Sequence, residues 1–205
     1  SLGYSDTLLA APPAPPRESW PWHTVTSASI LASTLFRADR RLEAETYLSS
    51  GFGIRTAIES KNKGWARFST LAKTSMPGRL KGVLVSPEFG TPFLAATQVF
   101  DLRPIPRKFL ALDKVSAVTG YFVDEGVILV TRSGSVGRAT VAHVPHRGAI
   151  VSDDLLRVTA RDERFRGWLY AYLRAPQVRA MTAGSQYGHI IKHLETAHLD
   201  TLPIP

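Results

Sequence analysis

Apolar and polar positions change their spacing twice along this chain. Between Arg40 and Lys61, Leu42, Tyr47, Leu48, Phe52, Ile54 and Ile58 recur at near-helical intervals among charged residues. That pattern predicts one or two helices, interrupted near Gly51 and Gly53. After Lys63 the apolar runs shorten: Gly82 to Val85, Phe93 to Ala96, Val127 to Val130 and Val141 to Val144 alternate with Gly and Pro, as strands do. Val127-Ile128-Leu129-Val130 is rich in β-branched residues and apolar at every position, which predicts a central strand buried on both faces. Ser133-Gly134-Ser135-Val136-Gly137 then supplies small residues for a tight reversal, and Arg138 to Ala142 alternates as a half-exposed partner strand does. Phe165, Trp168, Leu169, Tyr172 and Leu173 form one apolar helical stripe that Pro176 is expected to end.

The first 22 residues break this order. Pro12, Pro13, Pro15, Pro16 and Pro21 remove backbone donors and favour extended conformations, so residues 1–22 read as an arm or linker and residues 23–205 as one domain. A chain of 205 residues that is 44% hydrophobic and 20% charged is long enough to bury a proper core. No stretch approaches the roughly 18 apolar residues of a membrane helix, and the first residues lack a basic region followed by a hydrophobic run and a cleavage site. The absence of cysteine excludes disulfides and thiolate zinc and fits a reducing cytoplasm.

Charge changes the picture most. Lys and Arg number 25 against 17 acidic residues, a formal net charge of +8. Such an excess suits a polyanion binder, because each cation set on a phosphate releases condensed counterions, and it equally suits an inert basic surface.

Two segments concentrate candidate chemistry. In Thr131-Arg132-Ser133-Gly134-Ser135-Val136-Gly137-Arg138 the glycines allow close approach of backbone amides to a phosphate, the serines add small donors, and Arg132 and Arg138 bracket the loop with charge. An ordinary glycine-rich hairpin would look the same. No Lys-Ser or Lys-Thr follows, so it is not a nucleotide P-loop. In Gly184-Ser185-Gln186-Tyr187-Gly188-His189-Ile190-Ile191-Lys192-His193, Gln186 suits adenine, Lys192 suits guanine or phosphate, and Tyr187 suits stacking or packing, with a polar surface loop as the plain alternative.

Catalytic patterns fare worse. His189, His193 and His198 lack the glutamate of a metalloprotease helix. Glu59-Ser60-Lys61 has nuclease-like spacing but falls in a polar helical segment, and Asp153-Asp154 and Asp162-Glu163 read as solvated charges at the ends of a Leu155 to Val158 strand. No Asn-Pro-Pro or Asp-Pro-Pro tripeptide is present, and Gly51-Phe52-Gly53 is too short for a dinucleotide fingerprint.

The order of segments resembles the target-recognition domains of type I restriction specificity subunits and of related restriction-methylation and phage-defence enzymes. Thr91 to Asp101 is similar to that family's early strand and turn. Asp124 to Arg138 is similar to its most recognisable block, an acidic-Gly strand entry followed by a Ser-Gly-x-x-Gly turn. Ile150 to Arg157, the aromatic helix, Gly184-Ser185, and Leu194, Leu199 and Leu202-Pro203-Ile204-Pro205 follow in order, and Arg37-Ala38-Asp39 looks like the entry segment. In the family the Pro-Ile-Pro end leads into a long spacer helix. Spacing of two half-sites and docking of subunits would then lie outside these residues.

The resemblance implies an α+β fold with a strongly curved, mainly antiparallel sheet and peripheral helices. It implies a non-catalytic domain that recognises a short duplex DNA sequence and presents it to a partner adenine methyltransferase and endonuclease. S-adenosylmethionine, ATP and magnesium are expected only in the methylation and restriction subunits, with a second recognition domain or a second copy as a further partner. Arg132, Ser133, Ser135, Arg138 and Lys192 are expected mainly on phosphates, Gln186, Tyr187 and His189 nearer base edges, and Arg79, Lys81 and Arg147 as flanking contacts. Two other classes stay open: a small DNA-acting nuclease or methyltransferase fragment, and a basic protein-interaction module.

Overall fold

A computed structural model describes residues 27, 29–37, 44–60, 64–80, 82–112, 118–185 and 193–205. The arm at 1–22, Ala38-Asp39 of the entry segment and Lys61 lie outside them. The described elements begin with three helices, α1 (Ala32–Arg37), α2 (Ala44–Leu48) and α3 (Ser50–Ser60). Strands follow: β1 (Ala66–Arg67), β2 (Ala72–Ser75), β3 (Val83–Val85), β4 (Thr91–Leu94), β5 (Lys108–Ala111), β6 (Ile128–Thr131), β7 (Ala139–Val141), β8 (Ile150–Val151) and β9 (Leu155–Ala160). The chain closes with α4 (Arg166–Arg174), α5 (Pro176–Ser185), α6 (Thr196–Asp200) and β10 (Pro203–Ile204).

The fold is mixed α+β. In place of one sheet, the strands divide into a four-stranded antiparallel sheet ordered β2-β9-β6-β7, a second sheet ordered β3-β5-β4-β8, and the small β1-β10 pair. All pairings are antiparallel except β4 with β8.

The central strands of the first sheet, β6 and most of β9, are buried on both faces, and their alternation assigns the residues. Ile128 and Val130 of β6, with Leu156 and Val158 of β9, point toward Phe68, Leu169, Leu173, Val178, Met181 and Leu199 on the helical side. Leu129 and Leu155 point the other way, against Leu94, Val99, Val123 and Val151 of the second sheet and its turns. With all four β6 residues buried, the continuous apolar run at 127–130 is explained: neither face of that strand meets water.

One expectation about helix boundaries is corrected, and another is extended. The break between α2 and α3 falls at Ser49, and Gly51 and Gly53 both lie within α3. Gly51 is a contact point: a Cβ there would sit 2.2 Å from the Ala180 carbonyl oxygen, so only glycine lets α3 and α5 approach this closely. Gly53 faces open space. Pro176 does more than end a helix, because it occupies the first position of α5, where its missing N–H costs nothing. Tyr172 of α4 stacks between Phe68 and Trp168 and donates its hydroxyl to the Pro203 carbonyl at 2.7 Å. Burial pushes its phenol pKa up.

One charge is buried within the first sheet. The Arg157 guanidinium donates to three successive carbonyls, those of Gly120, Tyr121 and Phe122, which pins that turn to β9. Burial lowers its pKa from the ordinary arginine value, countered by the nearby Asp124. No helix among the described residues is long and apolar enough to cross a membrane.

Gly51→Ala is expected to destabilise the fold by about 1–3 kcal/mol through overpacking. Gly53→Ala should be neutral or stabilise by up to about 1 kcal/mol through helix propensity. Urea denaturation of the two variants measures the difference, and equal effects would remove the packing role given to Gly51.

Candidate nucleic-acid interface

The loop joining β6 to β7 is built around a threonine. Thr131 is buried, its hydroxyl donates to the Ser135 carbonyl, and it accepts from the Arg138 N–H at 3.0 Å. Backbone bonds from Thr131 N–H to Arg138 O and from Gly137 N–H to Thr131 O close the same ring. Gly134 and Gly137 adopt φ of 67° and 78°, the left-handed region that favours glycine. A Cβ on Gly137 would lie 2.8 Å from the Thr182 hydroxyl, so the loop also rests on α5. Val136 packs against the helical core.

This scaffold separates the bracketing arginines. Arg132 ion-pairs with Glu195 at 2.6 Å and is mostly buried. Its backbone N–H bonds to Asp154 O, and its carbonyl accepts from Leu194 N–H. Arg138 is exposed, its guanidinium lies over the Phe100 ring at 4.2 Å to the centroid, and it ion-pairs with no carboxylate among the described residues. The Ser133 hydroxyl donates to Asp154 Oδ1 at 3.0 Å, whereas Ser135 is exposed. Asp154 is therefore more than a solvated strand-end charge, since it anchors the loop through both its backbone and its carboxylate. Asp162 fits the surface reading: it pairs with Arg164, which holds its carboxyl below the usual range.

Two of the flanking candidates are described. Arg79 is exposed and pairs with no described acid. Arg147 is exposed and ion-pairs with Glu125, in the turn before β6 and thus at the opposite end of the β6-β7 hairpin from Arg132 and Arg138. Lys81, Gln186, Tyr187, His189 and Lys192 lie outside the described residues. Leu194, just after their segment, is described, and its N–H bonds to Arg132 O. His198 serves as a cap, its Nδ1 accepting from the Glu195 N–H at 2.9 Å. Glu59 pairs with Arg55 on the surface of α3. Among the described residues, no three His, Asp or Glu side chains converge to hold a metal.

A second surface, unmarked in the sequence reading, borders Arg138. The segment from Val99 to Ile105 is held from beneath by two buried side chains. Gln98 donates from Nε2 to Ile105 O at 2.6 Å while its Oε1 accepts from Ala95 N–H. His146, fully buried, donates from Nε2 to Val99 O at 3.0 Å, the tautomer set by the His143 N–H donating to its Nδ1. The signal was present in the sequence as arginine alternating with proline and aliphatic residues, Leu102-Arg103-Pro104-Ile105-Pro106-Arg107. Elsewhere, an apolar cavity of about 550 Å3 between α3, α5 and Pro205 is lined by Ile54, Ile58, Trp65, Val178 and Met181 and offers no acid, base or nucleophile beyond the engaged Tyr172 hydroxyl.

Neither a protein-family model nor a curated protein matches the sequence. Solved structures do. Over 76% of this chain and 40% of theirs, a chain from the structural study of complex assembly and conformational transition of the type I R-M system superposes with a TM-score of 0.51 at 18% identity. The type IIG restriction endonuclease BpuSI superposes with a TM-score of 0.51 at 12% identity, over 78% of this chain and 26% of its own. The fold is shared with restriction-modification proteins. The HsdS subunit from Thermoanaerobacter tengcongensis is also similar, with a TM-score of 0.49 at 18% identity over 75% of this chain and 38% of that one. The present chain thus spans about 40% of the length of the type I protein it matches.

Thr131→Val keeps the shape of the side chain and removes both hydroxyl bonds. It should cost about 1–3 kcal/mol, since two partners lose bonds worth about 0.5–1.5 kcal/mol each. Chemical denaturation reads the loss, and a change below about 0.5 kcal/mol would mean the loop does not depend on this residue.

Proposed function

We propose that this domain recognises a short sequence in duplex DNA and acts as the specificity component of a restriction-modification or related defence system. The observation that carries the reading is Arg138: an exposed guanidinium, oriented by Phe100, standing on a loop held by the internally bonded Thr131 and Ser133 hydroxyls. A preorganised cation of this kind meets a phosphate with little ordering cost. The surplus of +8 gives the surrounding field the right sign, and the fold shared with type I R-M and type IIG proteins supports the same assignment.

In this reading Arg138 and Ser135 contact phosphate. Arg132 and Ser133, engaged with Glu195 and Asp154, position the loop. Gln186, Tyr187, His189 and Lys192 are assigned to the adjoining contact segment, the first three nearer base edges, and Arg79, Lys81 and Arg147 to flanking phosphates. The domain carries no catalytic role; a partner methyltransferase using S-adenosylmethionine and a restriction subunit using ATP and magnesium supply the chemistry, in the cytoplasm. Because the fold occupies only 26% of BpuSI, the same role within a longer fused enzyme is the second reading.

Filter binding to duplex DNA across a salt series separates these roles. Arg138→Ala should leave stability unchanged, weaken all duplexes alike and shallow the salt slope by about 0.9. Arg132→Ala should lower stability by about 1–2 kcal/mol, as a largely buried pair is broken. Selection from a random duplex library should return a defined sequence. If the folded chain, supplied with methylation and restriction subunits, prefers no duplex over another, the function is wrong; magnesium-dependent cleavage by the isolated chain would favour the enzyme reading.

A further inference from the structure

The segment 101–107 has no part in the loop just described, yet its surface is unusual for a water-soluble turn. Leu102 is 83% exposed and Ile105 is 75% exposed, three residues apart. A single exposed aliphatic side chain needs no explanation. Here two stand on a backbone that the fold has fixed: Pro104 and Pro106 restrict φ, Gln98 holds the Ile105 carbonyl, His146 holds Val99, and His143 Nε2 lies 3.4 Å from the Leu102 carbonyl. Rigid presentation removes the option of folding the two side chains back onto the protein.

The surroundings are cationic. Arg103 and Arg107 are exposed and pair with no described acid, and Arg138 abuts the same segment through Phe100. A hydrophobic pair framed by exposed arginines complements a surface that is anionic at its rim and apolar at one point within. Duplex DNA has that form in the major groove, where phosphates flank base edges and the thymine 5-methyl is the apolar group presented.

Building on the function proposed above, we propose that segment 101–107 is a second DNA-reading element, in which Leu102 and Ile105 contact thymine methyl groups in the major groove while Arg103 and Arg107 hold the flanking phosphates. The contact accounts for what aliphatic groups can do at a base edge, since they neither donate nor accept hydrogen bonds. It also assigns a purpose to the buried Gln98, whose Nε2 bond ends on the backbone of this segment, and to His146, which holds Val99 just before it.

The test uses the full chain and the duplex it selects from a random library. Each thymine of that duplex is replaced in turn by deoxyuridine, which deletes one methyl and leaves base pairing intact. At one or two positions the wild-type chain should bind the deoxyuridine duplex about fourfold more weakly, the equivalent of one buried methyl. Leu102→Ala or Ile105→Ala should bind the thymine duplex more weakly and lose the discrimination, closing a double-mutant cycle with an unchanged salt slope. Arg103→Ala with Arg107→Ala should shallow that slope by about 1.8. Thermal melts of the four side-chain variants should match wild type, because all four side chains are exposed. If the chain selects no sequence, the proposed function fails and this inference with it. A sequence selected with no thymine in it, or thymine discrimination that survives both aliphatic substitutions, overturns the inference alone.

Discussion

The architecture depends on excluding water from both faces of one short sheet. Ile128, Leu129 and Val130 are each at most 1% exposed, and full burial of such side chains contributes about 1.5–3 kcal/mol apiece relative to exposure. A strand in that position requires cover on two sides. The helices after β9 supply one cover and the second sheet supplies the other, so the order of elements in the chain follows from the needs of β6 and β9. The glycine at 51 and the stacked aromatics at 68, 168 and 172 are details of how tightly the helical cover closes.

Rigidity passes from that sheet to its loops. Thr131 is both the last residue of β6 and the hub of the 132–138 loop, so the loop's geometry is an extension of the strand and does not rest on its own weak turn preference. Asp154, at the start of β9, and Leu194, beyond α5, close on the same loop from neighbouring elements. The consequence for recognition is preorganisation: charged groups on such a platform lose little freedom on meeting a ligand, and binding energy is left for discrimination.

The arginines illustrate how position decides what a charge does. Arg132 and Arg138 bracket the β6–β7 loop and Arg157 lies on the neighbouring β9, yet the first braces the C-terminal segment through Glu195, the second is exposed over Phe100, and the third is buried beneath three carbonyls. Their identical side chains gave equal weight to Arg132 and Arg138 in the sequence. Only the location of Glu195, 63 residues away, separates them.

From the sequence alone came the β6 strand and its burial on both faces, the reversal at 133–137, the helix at 166–174, the basic excess and the order of segments that resembles restriction specificity domains. These are local or compositional properties, set by alternation, turn residues and net charge, and they survive without knowledge of distant partners. The boundary at Ser49, the division of the strands into two four-stranded sheets and a small pair, the service of Pro176 as a helix start and the support of residues 99–105 by Gln98 and His146 were decided by tertiary structure. Each rests on contacts between residues far apart in the chain, and periodicity carries no record of which distant group will arrive to satisfy a given side chain.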